Sequence, residues 1–430
     1  MYRKWITTIT ICLTFFYLST FTYSNNTSNN ILLFDKDLSA SSGTTIISSV
    51  YDVSFKFKHF IPKDLLPDTD FFNTITHITS IFLWDIPLSL YFKTWNHEFF
   101  GHAHRYREYG HEELYYAVYW PWPYKFINPK RGGGYAGYKI STKKTLNSFH
   151  DTTMLLSGSE SNQLLGRFLF IDQFKSGKVS YPNIGLSFIA NLDFSSYILK
   201  MTEDDLNYNH WDPIRYLHTI NRIYMDQSNW TEHDSIKYKE TPHSFYKLTL
   251  TDLKNAAYLN IFSPMSLVGF FGCSNYLLSG VSENNFPYFN LGELRYFPDL
   301  RAHLTPFGLS YEFSLYTLLN NTFSSWSITT NDGKFSPFWG VSASVSPFLT
   351  IGELAISTEL ELWSQPSITE NTPYKLKSGG LIAFNLSYPS FLFKNASLLA
   401  NLGYKTEGYS PKYQLSEGYL FQYGFSLGFK

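Results

Sequence analysis

The feature that most constrains this chain is the alternation near its C-terminus. In "YLFQYGFSLGFK" (419–430), Tyr419, Phe421, Tyr423, Phe425, Leu427 and Phe429 fall on one face of an extended chain, while Gln422, Gly424, Ser426 and Gly428 take most of the other. A period of two sustained over this length specifies a strand with one apolar face, and that face must be covered. The same pattern returns in "FGLSYEFSLYT" (307–317), "WGVSASVS" (339–346), "ELAISTELELW" (353–363), "IAFNLSY" (382–388) and "ASLLANLGY" (396–404). Turn signals separate these runs: "NDGK" (331–334), "KSGG" (377–380) and "TEGYSPK" (406–412).

Strands with an aromatic-rich face, small and polar residues opposite, and an aromatic final strand are what an outer-membrane-type β-barrel requires. Residues 291–430 are therefore expected to form antiparallel strands of such a barrel. "TIISSVYDVSFKFK" (45–58) also alternates and is expected to pair with the C-terminal strand and close the sheet. A soluble β-sandwich is the alternative, since alternation does not say whether the apolar face meets lipid or protein. Composition fits a chain that meets lipid or a large apolar interface. Charged residues are 16% and aromatic residues 19% of the chain, against roughly 25% charged in ordinary soluble domains.

At the N-terminus, Arg3 and Lys4 precede the apolar "WITTITICLTFFYLSTF", and Thr22-Tyr23-Ser24 supplies a small-x-small cleavage pattern. An exported protein with a signal peptide at 1–24 is expected, with an uncleaved anchor helix as the alternative. Cys12 lies inside that segment, so Cys273 alone would remain, with no disulfide partner. A net charge of -1 and the lack of any Lys/Arg-rich block speak against a nucleic-acid partner.

The middle of the chain lacks steady alternation. "FFNTITHITSIFLWDIPLSLYF" (71–92) and "SFHDTTMLLSGSESNQLLGRFLF" (148–170) suggest buried helices. The expected class is thus α+β: signal peptide 1–24, linker and N-terminal strand 25–60, a mainly helical domain 61–290 inserted between the β segments, and the barrel strands from 291 onward.

Within the helical part stands "TWNHEFFGHAHRYREYG" (94–110). Histidines four apart on a helix differ by about 40° and can share a zinc ion, whereas His97 and His102 are five apart, which turns the second ring by about 140°. A π-bulge would restore the facing, and Gly101, without a Cβ, is where the backbone would adjust. On an unbroken helix Glu98 and His102 face together instead, as do His97 and His104, giving a mixed carboxylate and histidine site. A cluster without metal is the third possibility.

"HEFFGH" (97–102) resembles the H-E-x-x-G-H signature of the dipeptidyl peptidase III family of zinc metallopeptidases. With "HAHRYREYG" after it, the stretch is also similar to the zinc helix of membrane-embedded zinc proteases. The resemblance implies that His97 and His102 bind Zn2+ and that Glu98 activates water. In gluzincin peptidases the third ligand is a glutamate on a later helix, which points to Glu160 in "LLSGSESNQLL" (155–165), flanked by small residues that let two helices approach closely. His104, His111 and His150 compete for that role, and Glu160 has Arg167 or Arg105 as alternative partners. Arg105, Tyr135, His210, Tyr216 and His218 are candidate oxyanion donors. Asp212, ahead of Pro213, reads as a helix start or as an orienting partner for a zinc-bound imidazole. "RGGGYAGY" (131–138) is either a loop or an edge strand for an extended substrate.

Two functions follow as expectations. The first is an exported, membrane-associated zinc metallopeptidase of the outer membrane or periplasm-facing envelope, acting on a peptide or protein substrate with Glu98 as general base. The second is a non-enzymatic outer-membrane barrel, a pore or structural protein, with a helical plug.

Overall fold

The alternation of the C-terminal third builds one large antiparallel sheet, and the apolar segments before it supply the helices that fill its inner face. The computed structural model describes residues 28–57, 70–111, 114–119, 121, 133–138, 148–208, 211–225, 242–367, 375–390 and 395–429; the expected signal peptide lies outside them. In chain order the elements that matter are β1 (Ser28–Phe34), α1 (Ala40–Phe57), α2 (Asp70–Ser80), α3 (Ile86–Trp95), α4 (Ala103–Glu108), β2 (Leu114–Tyr119), β3 (Gly133–Tyr138), α5 (Ser148–Ser176), β4 (Lys178–Ser180), α6 (Asn183–Asn191), α7 (Asp193–Ile198), α8 (Asp212–Ile223), α9 (Leu250–Ile261) and α10 (Pro264–Ser279). Then come β5 (Glu283–Asn285), β6 (Phe289–Leu291), β7 (Leu294–Thr305), β8 (Gly308–Leu319), β9 (Thr322–Asn331), β10 (Trp339–Ile351), β11 (Leu354–Pro366), β12 (Leu376–Pro389), β13 (Ala396–Lys405) and β14 (Gly418–Phe429).

Ten strands join in the order β1-β14-β13-β12-β11-β10-β9-β8-β7-β6. This corrects the expected fold class. The protein is α+β, but among the described residues the sheet is open, and its edge strands β1 and β6 do not pair into a closed barrel. Helices take up the edges. Asn260 of α9 accepts from the Ala302 N–H at 2.7 Å and donates to the Ala302 carbonyl at 2.9 Å, filling the free side of β7. On β1, Leu33 N–H donates to Thr45 Oγ1 at 3.1 Å and Ser49 Oγ donates to the Ile31 carbonyl at 2.7 Å. Side chains thus satisfy backbone groups that barrel closure would otherwise pair.

The segment 45–58 is a second correction, because it lies mostly in α1 and the partner of β14 is Ser28–Phe34. Its apolar residues fit both periods. Ile47, Tyr51 and Phe55, four apart, are buried together. The Tyr51 ring meets Phe92 edge-on at 5.8 Å, and its hydroxyl bonds Ser89 at 2.9 Å. Packing against α3 overrides the strand preference of the β-branched residues.

The inner face of the sheet carries charge. Arg301, Glu312, Glu361 and Lys412, with Arg167 and Glu160 of α5, line one cavity of about 130 Å³. Arg167 pairs with Glu312, and His303 bonds Gln163 at 2.9 Å. Five strands, β7 to β11, reach this one cavity, so the sheet curls around α5.

From Asp70 to Glu108 the helix is continuous but is widened twice, by π turns at Ile81–Asp85 and Asn96–His102. The second widening is the bulge that the histidine spacing demands. It is pressed against α5: a Cβ on Gly101 would come within 2.6 Å of the Ser157 carbonyl oxygen and 2.7 Å of the Gly158 Cα. Both are backbone atoms and cannot swing away. Gly101→Ala is expected to push the helices apart and cost about 1–3 kcal/mol; a variant that melts with the wild type would contradict the close approach.

Candidate metal centre

The π turn brings the two imidazoles together edge-on, with ring centroids 4.9 Å apart. His97 Nε2 and His102 Nε2 lie 3.2 Å apart, although the residues are five apart in sequence. Asp212, in the first turn of α8, places Oδ2 3.1 Å from His102 Nε2. The ligand atoms of His97, His102 and Asp212 all lie within 4.8 Å of one another.

The other nitrogens are already committed. His97 Nδ1 bonds Asp193 Oδ2 at 3.0 Å, and His102 Nδ1 bonds the Met154 carbonyl at 2.7 Å. With each Nδ1 turned to an acceptor, a bound ion would meet both rings through Nε2. Asp193 is anchored in turn by Lys93 at 2.5 Å and by the Asn162 amide at 3.0 Å. Burial pushes its carboxyl up, but Lys93 and His97 outweigh burial and hold it well below the usual carboxylate range. Asp193 therefore stays ionised between Lys93 and His97.

Small residues make the approach possible. A Cβ on Gly158 would overlap the His97 ring, and Ser161 Oγ donates to the Asn96 carbonyl at 3.1 Å. The Tyr197 ring stacks on His97 with centroids 5.9 Å apart. Burial, with Asp193, Glu98 and Asp212 adding to it, keeps the Tyr197 hydroxyl protonated.

The donor set fits a metal ion. Tetrahedral zinc with bonds of about 2.0–2.1 Å places neighbouring ligands roughly 3.3–3.4 Å apart, close to the observed separations. Without an ion the site resolves its own crowding by protonation. Burial pulls His102 down, but Asp212 outweighs it and lifts the imidazole to about 9.

Glu98 is buried beside this centre, and no protein donor engages its carboxylate among the described residues. The β2–β3 hairpin closes over it: a Cβ on Gly134 would come within 2.6 Å of Glu98 Cγ. The "RGGGYAGY" segment is thus extended over Gly133–Tyr138, paired with β2 along one edge.

Glu160 does not join the trio. It accepts from the Tyr409 hydroxyl and faces Arg105 at 3.8 Å. Arg105 is itself held by Glu108 at 2.8 Å and by the Ser410 and Tyr413 carbonyls at 3.1 Å. The small residues that suggested a close approach do provide it, but they bring Gly158 rather than Glu160 against the His97 ring. His104 lies among Arg105 and Arg107, which together with burial hold it well below its ordinary value. His150 stacks on Tyr109 at 4.3 Å, and the His111 ring meets Tyr106 at 6.0 Å. Of the oxyanion candidates, Tyr216 donates to the Thr305 carbonyl at 2.7 Å and His218 bonds Tyr246. Tyr135 is exposed, and His210 lies outside the described residues.

Sequence reasoning missed Asp193 and Tyr197. The only signal was an acidic residue in the apolar "IANLDFSSYI", and nothing in its spacing connects it with His97. Comparison with known protein families, curated proteins and solved structures finds no match to this chain.

The wild-type protein is expected to retain about one zinc ion per chain after dialysis, and His97→Ala, His102→Ala and Asp212→Ala to lose it, as read by metal analysis. Glu160→Gln should keep it; loss there with retention in Asp212→Ala would reverse the assignment. Glu160 also makes a pH prediction. Burial lifts its carboxyl to about 7 against the pull of Arg105. A raised carboxyl means that the folded state binds more protons than the unfolded chain between about pH 4.5 and 7, so stability falls as pH rises through that window, by up to ~3 kcal/mol. Glu160→Gln removes this slope, and melting curves at pH 5 and pH 8 should show the variant gaining on the wild type at the higher pH. Parallel curves would contradict the assignment.

Proposed function

We propose that this protein is a zinc-dependent hydrolase that cleaves peptide bonds. The observation that carries the reading is a buried carboxylate that has no protein donor among the described residues, Glu98, next to a convergent His97–His102–Asp212 set whose outer nitrogens are already oriented. Bound at three protein ligands, zinc keeps a position for water and lowers its pKa to about 7. Two imidazoles with one carboxylate suit this borderline-soft ion.

The chain's own residues supply the rest. Glu98 is the proton acceptor, being buried and, among the described residues, uncommitted, as suits a general base. Asp193 and the Met154 carbonyl hold the imidazoles in one tautomer. The half-exposed Asp212, whose side chain is 36% exposed, marks the side from which substrate enters. β3 favours a peptide over a compact acyl substrate. Its second edge is unpaired among the described residues, and it runs past Glu98 with glycines at 133, 134 and 137, so an extended chain can add to it through main-chain hydrogen bonds.

Glu98→Gln separates the roles. The variant should keep its zinc and lose about 10²–10⁴-fold in turnover on a peptide library. Undiminished cleavage would overturn the base, and zinc-loaded wild type that cleaves no peptide would overturn the function.

A further inference from the structure

The outward face of the sheet carries an unusual surface. The register places Phe313 beside Ile328, Ala343 beside both Trp326 and Leu360, Leu360 beside Ile382, Phe384 beside Leu402, and Leu402 beside Phe421. These side chains form one face running from β8 to β14, continued onto β7 by Leu300 beside Phe313. Following that face along each strand, every position from β7 to β14 lacks Asp, Glu, Lys and Arg. The charges of these strands all alternate to the opposite face, where Arg301, Glu359 and Lys405 are buried and Glu312 and Glu361 nearly so, while Arg295 and Lys377, near strand ends, are exposed. The polarity is opposite to that of a sheet whose outer face meets water.

Area and shape narrow the occupant. At one corner of this face Ala302, Leu304 and Leu309 are buried, and at another Phe425 and Leu427 pack on the core. The remainder, about seven strands at ~4.8 Å spacing and roughly 20–25 Å long, is on the order of 700–800 Å², still beyond the ~300–600 Å² of the largest apolar patch on a typical soluble monomer. Because β7 to β11 all reach one cavity of about 130 Å³ on the inner side, the outer side is convex. Two convex faces meet along a narrow strip, so a second copy of this chain would leave most of the surface wet. Fluid hydrocarbon conforms to it.

One rim of the face is amphipathic. Tyr311, Trp339, Tyr404 and Tyr419 sit at the same end of their strands, and Tyr419 is 85% exposed. Such rings mark the level of the headgroups. A second apolar surface is exposed on the charge-free α10, with Phe270, Phe271 and Leu278, the last 84% exposed. Among the described residues no single helix is long and apolar enough to cross a membrane, but α9 and α10, bent by 56°, pass that test as a pair.

We infer that the outward face of β7–β14, with the exposed side of α10, is immersed in the hydrocarbon of a lipid bilayer, and that the Tyr311–Trp339–Tyr404–Tyr419 rim lies at its headgroups. The metal centre then works at a membrane, held by helices on the concave side. This inference is independent of the zinc chemistry.

The test uses the full chain, reconstituted with phosphatidylcholine vesicles that do or do not carry dibrominated acyl chains. The protein should float with the vesicles, resist extraction by alkaline carbonate, and lose a large part of its Trp fluorescence to the brominated lipid. The Trp326→Phe, Trp339→Phe double variant should lose much of that quenching, whereas Trp363→Phe, on the inner face, should not. A chain that stays in solution as a monomer, or as an oligomer that buries these tryptophans without lipid, would overturn the inference. So would a floating chain whose fluorescence the brominated lipid leaves unchanged.

Discussion

The site depends on one close contact, the π turn at Asn96–His102 pressed against Ser157 and Gly158. A regular helix would splay residues five apart, and the extra residue in the turn brings the two rings back to 3.2 Å. Such a turn is a weak element by itself, since it widens the helix and loosens its hydrogen bonding. It persists here because glycines stand at the closest points of the crossing: Gly101 meets backbone on one side and Gly158 lies under an imidazole on the other. Packing, rather than the intrinsic preference of "NHEFFGH", sets the geometry on which the proposed metal chemistry rests.

From that contact, order spreads outward through hydrogen bonds. Ser161 and Asn162 of α5 hold Asn96 and Asp193. Asp193 orients His97, and Met154, a turn before Gly158 on the same helix, orients His102. α5 thus carries one outer partner of the metal centre on one side and, on the other, pairs Arg167 with Glu312 of the sheet. The sheet's charged concave face and the site share that helix as a common wall. Glu160 belongs to this wall. It joins Arg105 and Tyr409, and so ties α4, α5 and the loop between β13 and β14 together.

Much of this was legible in the sequence. The strands from 294 onward followed their alternation, because a period of two with one apolar face leaves few other solutions. The one-residue excess between His97 and His102 stated its own structural requirement. Three readings failed for physical reasons. The segment 45–58 satisfies a 3.6 period as well as a period of two, and tertiary contacts of Ile47, Tyr51 and Phe55 chose the helix. Closure of the sheet cannot be read from strands alone, because Asn260, Thr45 and Ser49 satisfy its edges from distant helices. Glu160 carried the right residue type among small neighbours, but a buried arginine meets the same need as a metal ion, and Arg105 is that partner. Asp212 was read from its place before Pro213 as a helix start or as an orienting partner for a zinc-bound imidazole; only the folded chain shows that its Oδ2 reaches His102 Nε2 itself.

The central claim is that His97, His102 and Asp212 hold one ion together. X-ray absorption at the zinc edge of the metal-loaded wild-type protein tests it most directly. The spectrum should show a four-coordinate nitrogen and oxygen shell near 2.0 Å with the outer-shell scattering of two imidazoles. A six-coordinate oxygen shell without imidazole scattering would contradict it.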